Sequence, residues 1–163
     1  MVTIIDYGIG NLRSIEKAFG AVGAEVHRTD APPDIADAER LVLPGVGAFR
    51  ACIDEIRARD LEAPIHDAIE QGTPFLGVCV GMQLLFETGY EKGEHEGLGV
   101  LPGAVAHFRE VDAEMSEGLS VPHMGWNAIE PTRSHPLLDG LGETPHVYFV
   151  HSYHPVAAET SDV

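Results

Sequence analysis

The sequence predicts an α/β fold: an open, mostly parallel sheet with helices on both faces, plus an antiparallel extension. Three observations carry that expectation. Up to about residue 92, short apolar runs alternate with amphipathic segments, the pattern of repeated strand–helix units. After residue 93 the texture changes to strand-like runs separated by Gly, Pro and acidic turns, which suits antiparallel pairing. Between the two halves, "PFLGVCVGMQLL" sets a cysteine between two glycines where an apolar run gives way to a helical pattern.

Taken in order, "VTIID" reads as a buried strand, and "YGIGN" turns into "LRSIEKAFGAVG". There Leu12, Ile15, Phe19 and Val22 recur at helical spacing while Arg13, Glu16 and Lys17 face outward. "AEVHRT" and "RLVLP" read as the second and third strands, with the proline-rich "DAPPDIADAE" between them. Two helices follow. Phe49, Cys52, Ile53 and Ile56 share one face of the first, and Ile65, Ala68 and Ile69 one face of the second, with Gly72 where a helix end favours glycine. "PFLGVC" is apolar throughout and is expected at the centre of the parallel sheet. Beyond it, "EGLGVLPGAVAHF", "LSVPHMGWNAIE" and "HVYFVHSYHPV" read as strands, and "HPLLDGL" is the one short helical candidate.

Composition narrows the function. The 163 residues are 44% hydrophobic, contain no apolar run near a membrane span, and begin without a signal-peptide pattern, so a soluble, cytoplasmic protein is expected. Two cysteines make no disulfide framework. Twenty-six acidic residues oppose 10 basic ones, for a formal charge of -16, and such a surface repels phosphate backbones. No nucleic-acid or membrane partner is expected. The acids are scattered along the chain, and their mutual repulsion suggests a protein adapted to a salt-rich interior. The nine histidines form no cluster with ligand spacing. His151 and His154 are three apart in one strand-like run, which sends them to opposite faces, so neither a metal nor a cofactor is expected.

Gly77 and Gly81 flank Cys79 in a G-x-C-x-G corner between strand and helix, the thiol counterpart of a nucleophile elbow. Side chains at those two positions would crowd a strained turn. The corner serves acyl transfer: the sulfur lies near a helix N-terminus, where backbone dipoles favour negative charge, and the Val80 N–H faces a developing oxyanion. The plainer alternative is a small apolar cysteine packed in a glycine-rich turn. Cys52, on a helix face with Phe49, Ile53 and Ile56, reads as core.

"GVCVGMQLLFE" resembles the nucleophile segment of class I, triad-type glutamine amidotransferases. "IIDYGIGNLRS", "LPGVGAF", "VPHMGWN" and "YFVHSYHP" narrow the resemblance to the glutamine amidotransferase subunits of imidazole glycerol phosphate synthase, over about Val2 to Val156. The resemblance implies a single amidotransferase domain over 1–163, with Cys79 attacking the glutamine amide to leave a glutamyl thioester and ammonia. It implies that Val80 and Val46 donate backbone N–H groups to the oxyanion, the latter after a peptide flip in the "PGVG" segment. Gly45, Gly47, Gln83, Glu91, Ser152 and Tyr153 match positions that hold glutamine. Taken alone, Gln83 reads as an exposed helical side chain and Glu91 as a solvated loop acid.

The family's catalytic histidine and glutamate come from a late His-Pro-Glu segment. No such triplet occurs here: Pro136 is followed by Leu137 and Pro155 by Val156. No residue is therefore assigned to either role, and the domain is expected to lack its C-terminal strands and helix, as a fragment of a longer product. A non-catalytic docking subunit is the alternative. The resemblance also implies a partner, a (β/α)8-barrel cyclase that receives the ammonia, met by Asn11, His123, Met124, Trp126 and Asn127. Without it, Trp126 reads as an ordinary core residue.

Overall fold

The computed structural model describes residues 1–111, 118–142 and 144–158. Strands and helices alternate through the first half: β1 (Val2–Ile5), α1 (Leu12–Ala21), β2 (Val26–Thr29), α2 (Pro32–Ala36), β3 (Leu41–Gly45), α3 (Phe49–Ala58), α4 (Glu62–Glu70) and β4 (Phe75–Cys79). The four strands form one sheet in the order β2-β1-β3-β4, parallel at every pairing.

Period-two alternation divides the core in two. Leu41 and Leu43 of β3 join Ile5 and the buried faces of α3 and α4 in one cluster, with Ile35 of α2. Val42, between them, joins Val2 and Ile4 in a second cluster covered by Leu12, Ile15 and Phe19 of α1. Helices thus lie on both faces of the sheet. Each fully buried Leu, Ile or Phe contributes roughly 1.5–3 kcal/mol. The α3 face predicted from spacing is buried as a unit: Phe49, Cys52, Ile53 and Ile56 are all at most 1% exposed.

Three local features differ from the sequence reading. Among the described residues β4 stands at the sheet edge, not its centre; β1 and β3 are the fully buried strands, and β4 is only half-buried. Its apolar run is real, but among the described residues it pairs on one side only. Val22 lies past the end of α1 and is exposed, so the helix face consists of Leu12, Ile15 and Phe19. The proline-rich link contains α2, with Pro at its first turn, where the missing N–H costs nothing.

The second half supplies the antiparallel extension. After α5 (Val80–Gln83) come β5 (Phe86–Gly89), β6 (His95–Glu96), β7 (Leu101–His107), α6 (Phe108–Val111), β8 (His123–Ala128), β9 (His146–His151) and β10 (Tyr153–Ala157). A second sheet has the order β10-β7-β5-β6, antiparallel except between β5 and β7. β8 and β9 form a separate antiparallel hairpin. The "HPLLDGL" segment holds one tight turn at Pro136–Leu138. The second sheet joins the core at Gly89, where a Cβ would press into the Phe49 ring 2.6 Å away.

Candidate active site

β4 delivers Cys79 to the carboxyl edge of the parallel sheet, where the chain turns sharply. Cys79 has φ 56° and ψ −118°, a conformation that costs a non-glycine residue on the order of 1–3 kcal/mol. Its side chain is exposed, whereas Cys52 is buried. Close backbone packing holds the strained corner. A Cβ on Gly77 would lie 2.5 Å from Met82 Cα, and one on Gly81 would strike the Leu43 carbonyl oxygen. A Cβ on Gly45 would lie 2.9 Å from the Val80 carbonyl carbon. The G-x-C-x-G spacing therefore reflects two stretches of backbone locked together, and Gly45 completes the lock from the β3 side.

Parallel register sets Gly45 opposite Cys79, so the Val46–Gly47 turn leaves the sheet next to it. Gly47 has φ +83° with nothing near a would-be Cβ, so there the backbone conformation, not space, requires glycine. Val80 opens α5, and a first-turn N–H has no partner within its own helix. α5 is a single turn, after which the chain enters β5, so the helical pattern that follows Cys79 is brief. With four residues there is little macrodipole, and the local N–H groups are what can meet negative charge.

Gln83 and Tyr153, seventy residues apart, meet here: Gln83 Nε2 donates to the Tyr153 carbonyl at 3.4 Å. Glu91 is half-buried, and its Oε2 accepts from the Phe49 N–H at 3.0 Å, at the start of α3. It is thus no solvated loop acid. Burial first, then the carboxylates of Glu91 and Glu110, raise the Tyr153 phenol above its ordinary value. Ser152 is half-buried between β9 and β10, its carbonyl accepting from the Phe108 N–H at 3.1 Å.

Two residues beneath the site were given no role there from sequence. Tyr7, fully buried, donates its hydroxyl to the Pro44 carbonyl at 2.7 Å. Cys52 donates its thiol to the Val46 carbonyl at 3.4 Å, so this core residue also holds the turn beside Cys79. Burial raises both groups, with smaller raising contributions from Cys79 to both and from Glu91 to Cys52. Nothing in one-dimensional spacing signals these bonds, because they span 37 and 6 residues across different elements.

Several histidines of the second half are engaged with one another, with main chain or with aromatic rings. His123 Nδ1 lies 3.3 Å from His151 Nε2, and His151 Nδ1 donates to the Tyr153 carbonyl at 2.9 Å. Asn127 meets the other His123 nitrogen at 3.0 Å. His154 stacks on Phe108, whose ring also meets His151 edge-on. The opposite-face argument for His151 and His154 fails because the chain breaks strand at Ser152 between them. Among the described residues no group of three or more metal-ligating side chains occurs.

Trp126 is not a core residue. It is 70% exposed and packs edge-on against Tyr148 across the hairpin, ring centroids 5.6 Å apart. Register places Met124 opposite Val150 and Trp126 opposite Tyr148, so these four exposed side chains share one hairpin face. Asn11 is exposed at the start of α1, one residue after Gly10, which packs against Pro44.

A glutamine amidotransferase class-I family model matches residues 3–162. The chain belongs to the class I glutamine amidotransferase family. It is 83% identical, over its whole length and 75% of the relative's, to the imidazole glycerol phosphate synthase subunit HisH of Salinibacter ruber. The HisH subunits of Rhodopirellula baltica and Syntrophotalea carbinolica are 53% and 50% identical over the whole chain, covering 77% and 79% of their lengths. A crystal structure of a glutamine amidotransferase superposes with TM-score 0.70 at 20% identity, over 97% of this chain and 74% of that one, which bears on the fold alone. Among the described residues no helix is long and apolar enough to cross a membrane.

Proposed function

We propose that this chain is the glutaminase subunit of an imidazole glycerol phosphate synthase. The observation that carries the chemistry is Cys79: exposed, strained, and set against the Gly45–Gly47 turn at the end of the neighbouring strand. In this reading the Cys79 sulfur attacks the side-chain amide carbon of glutamine. Negative charge moves to the carbonyl oxygen, where the N–H groups of Val80 and Val46 receive it. The carbon–nitrogen bond then breaks, the nitrogen leaves as ammonia on gaining a proton, and water later hydrolyses the thioester.

Gly45, Gly47, Gln83, Glu91, Ser152 and Tyr153 hold the substrate; Gln83, one turn after Cys79, bonds the Tyr153 carbonyl, and Glu91 bonds the Phe49 N–H just beyond the Val46–Gly47 turn, which supports that role. Proton delivery is worth on the order of 10²–10⁴ in rate, and no histidine of residues 1–163 is assigned to it. Ammonia protonated in bulk water has no lone pair left to attack with, so it must pass directly to an acceptor site. That need supports a cytoplasmic complex in which a (β/α)8-barrel cyclase takes the ammonia and forms imidazole glycerol phosphate and aminoimidazole carboxamide ribonucleotide. Asn11, His123, Met124, Trp126 and Asn127 are the proposed contact residues. The exposed hairpin face and an apolar hollow of about 840 Å³, which His123, Met124 and Asn127 help to line, support that placement.

The test is glutamine hydrolysis by the protein with its cyclase, wild type against Cys79→Ala. Turnover is expected to fall to background in the variant. Substantial turnover surviving the substitution removes Cys79 from the mechanism, and absence of turnover in the wild type favours a docking role without catalysis.

A further inference from the structure

We infer that Tyr7 and Cys52 are positioning residues that aim the Val46 N–H at the carbonyl attacked by Cys79. The inference deepens the glutaminase reading and rests on it. Its ground is the pattern of bonds beneath the Pro44–Gly47 turn. The Tyr7 hydroxyl holds the Pro44 carbonyl at 2.7 Å, which orients the peptide plane joining Pro44 to Gly45. The Cys52 thiol holds the Val46 carbonyl at 3.4 Å, which orients the plane joining Val46 to Gly47. Neither bond touches the plane between them, joining Gly45 to Val46, and the Val46 N–H belongs to that plane.

Rotation of one peptide plane requires its neighbours to act as fixed pivots. Gly45 has no Cβ to oppose the rotation on one side, while its α-carbon is pinned against Val80 and Gly81. The pivots themselves are anchored. Tyr7 and Cys52 are both fully buried in the same core cluster. Glu91 fixes the far end of the same loop through the Phe49 N–H. Loss of the Tyr7 donor leaves the buried Pro44 carbonyl without its partner, and loss of the Cys52 donor does the same to the part-buried Val46 carbonyl; either frees one pivot, so the Val46 N–H points at the oxyanion for less of the time.

The experiment separates acyl transfer from simple thiol reactivity in the full chain. A p-nitrophenyl γ-ester of glutamate acylates Cys79: the S–C bond forms, the C–O bond breaks, and p-nitrophenolate leaves without needing a proton. Iodoacetamide alkylates the same sulfur with loss of iodide and builds no oxyanion. Tyr7→Phe and Cys52→Ala are each expected to slow single-turnover nitrophenolate release, corrected for the enzyme-free rate, by about tenfold. That is less than the roughly 10²–10³-fold cost of deleting an oxyanion donor. Alkylation of Cys79, mapped by mass spectrometry, should stay within about twofold of wild type, and Cys52→Ser, which keeps a donor, should recover most of the acylation rate. Wild-type acylation in either Tyr7→Phe or Cys52→Ala overturns the proposal, as does an equal fall in acylation and alkylation. Nitrophenolate release by Cys79→Ala above the enzyme-free rate instead overturns the nucleophile assignment, on which the proposal stands.

Discussion

At the scale of single residues, the site is built on glycines that differ in why they are glycine. Gly81 abuts the Leu43 carbonyl, a backbone atom that cannot swing aside, whereas Gly47 has open space but a φ of +83°. Gly81→Ala is therefore expected to cost about 3 kcal/mol, lowering Tm by roughly 6–12 °C for a chain of this size. Gly47→Ala meets only conformational strain, roughly 1 kcal/mol. Thermal unfolding of the two variants tests the ranking, and equal shifts would contradict it. The elbow glycines were legible in sequence because a local turn constrains them at fixed offsets. Gly45 was legible only through family resemblance, and its cause, contact with Val80 and Gly81, lies thirty-five residues and more away in the chain. Tyr7 and Cys52 escaped for the same reason: a phenol after one strand and a thiol on one helix become partners only once β1, β3 and α3 are packed.

Among elements, periodicity read the helices well and the strand environment less well. The face of α3 was visible because spacings of three and four repeat across ten residues. The place of β4 was not, because an apolar run records the side chains a strand carries and not how many neighbours pair with it. The one-turn α5 shows the same limit: a continuing apolar pattern after Cys79 suits either a helix or the turn-and-strand that forms. The β8–β9 hairpin offers the element-scale prediction. Its exposed face, Met124, Trp126, Tyr148 and Val150, resembles an interface centre more than a solvent surface. Trp126→Ala is expected to weaken binding of the cyclase subunit by on the order of 10–30-fold in a calorimetric titration. Its Tm should stay within about 1 °C of wild type, because the ring packs mainly on Tyr148. Unchanged affinity would remove this face from the interface.

For the whole molecule, charge is the dominant property that packing does not explain. The described ion pairs all lie at the surface, with side chains a quarter or more exposed, so they contribute little individually. They leave most of the excess of 26 acids over 10 bases unopposed. Screening should therefore stabilise the fold: Tm is expected to rise by about 5 °C or more between roughly 0.1 M and 2 M KCl. A flat or falling Tm across that range would show that self-repulsion is not a significant cost here. The meeting of β3 with the turn after β4 has a consequence for how the sequence can vary. Its tightest contact, from position 81 to Leu43, is main chain against main chain, so no shortened side chain elsewhere can make room for a bulkier residue there. In a screen for second-site suppressors of Gly81→Ala, compensating changes that restore the corner's geometry should be missing, and recovery should come through reversion of the codon itself.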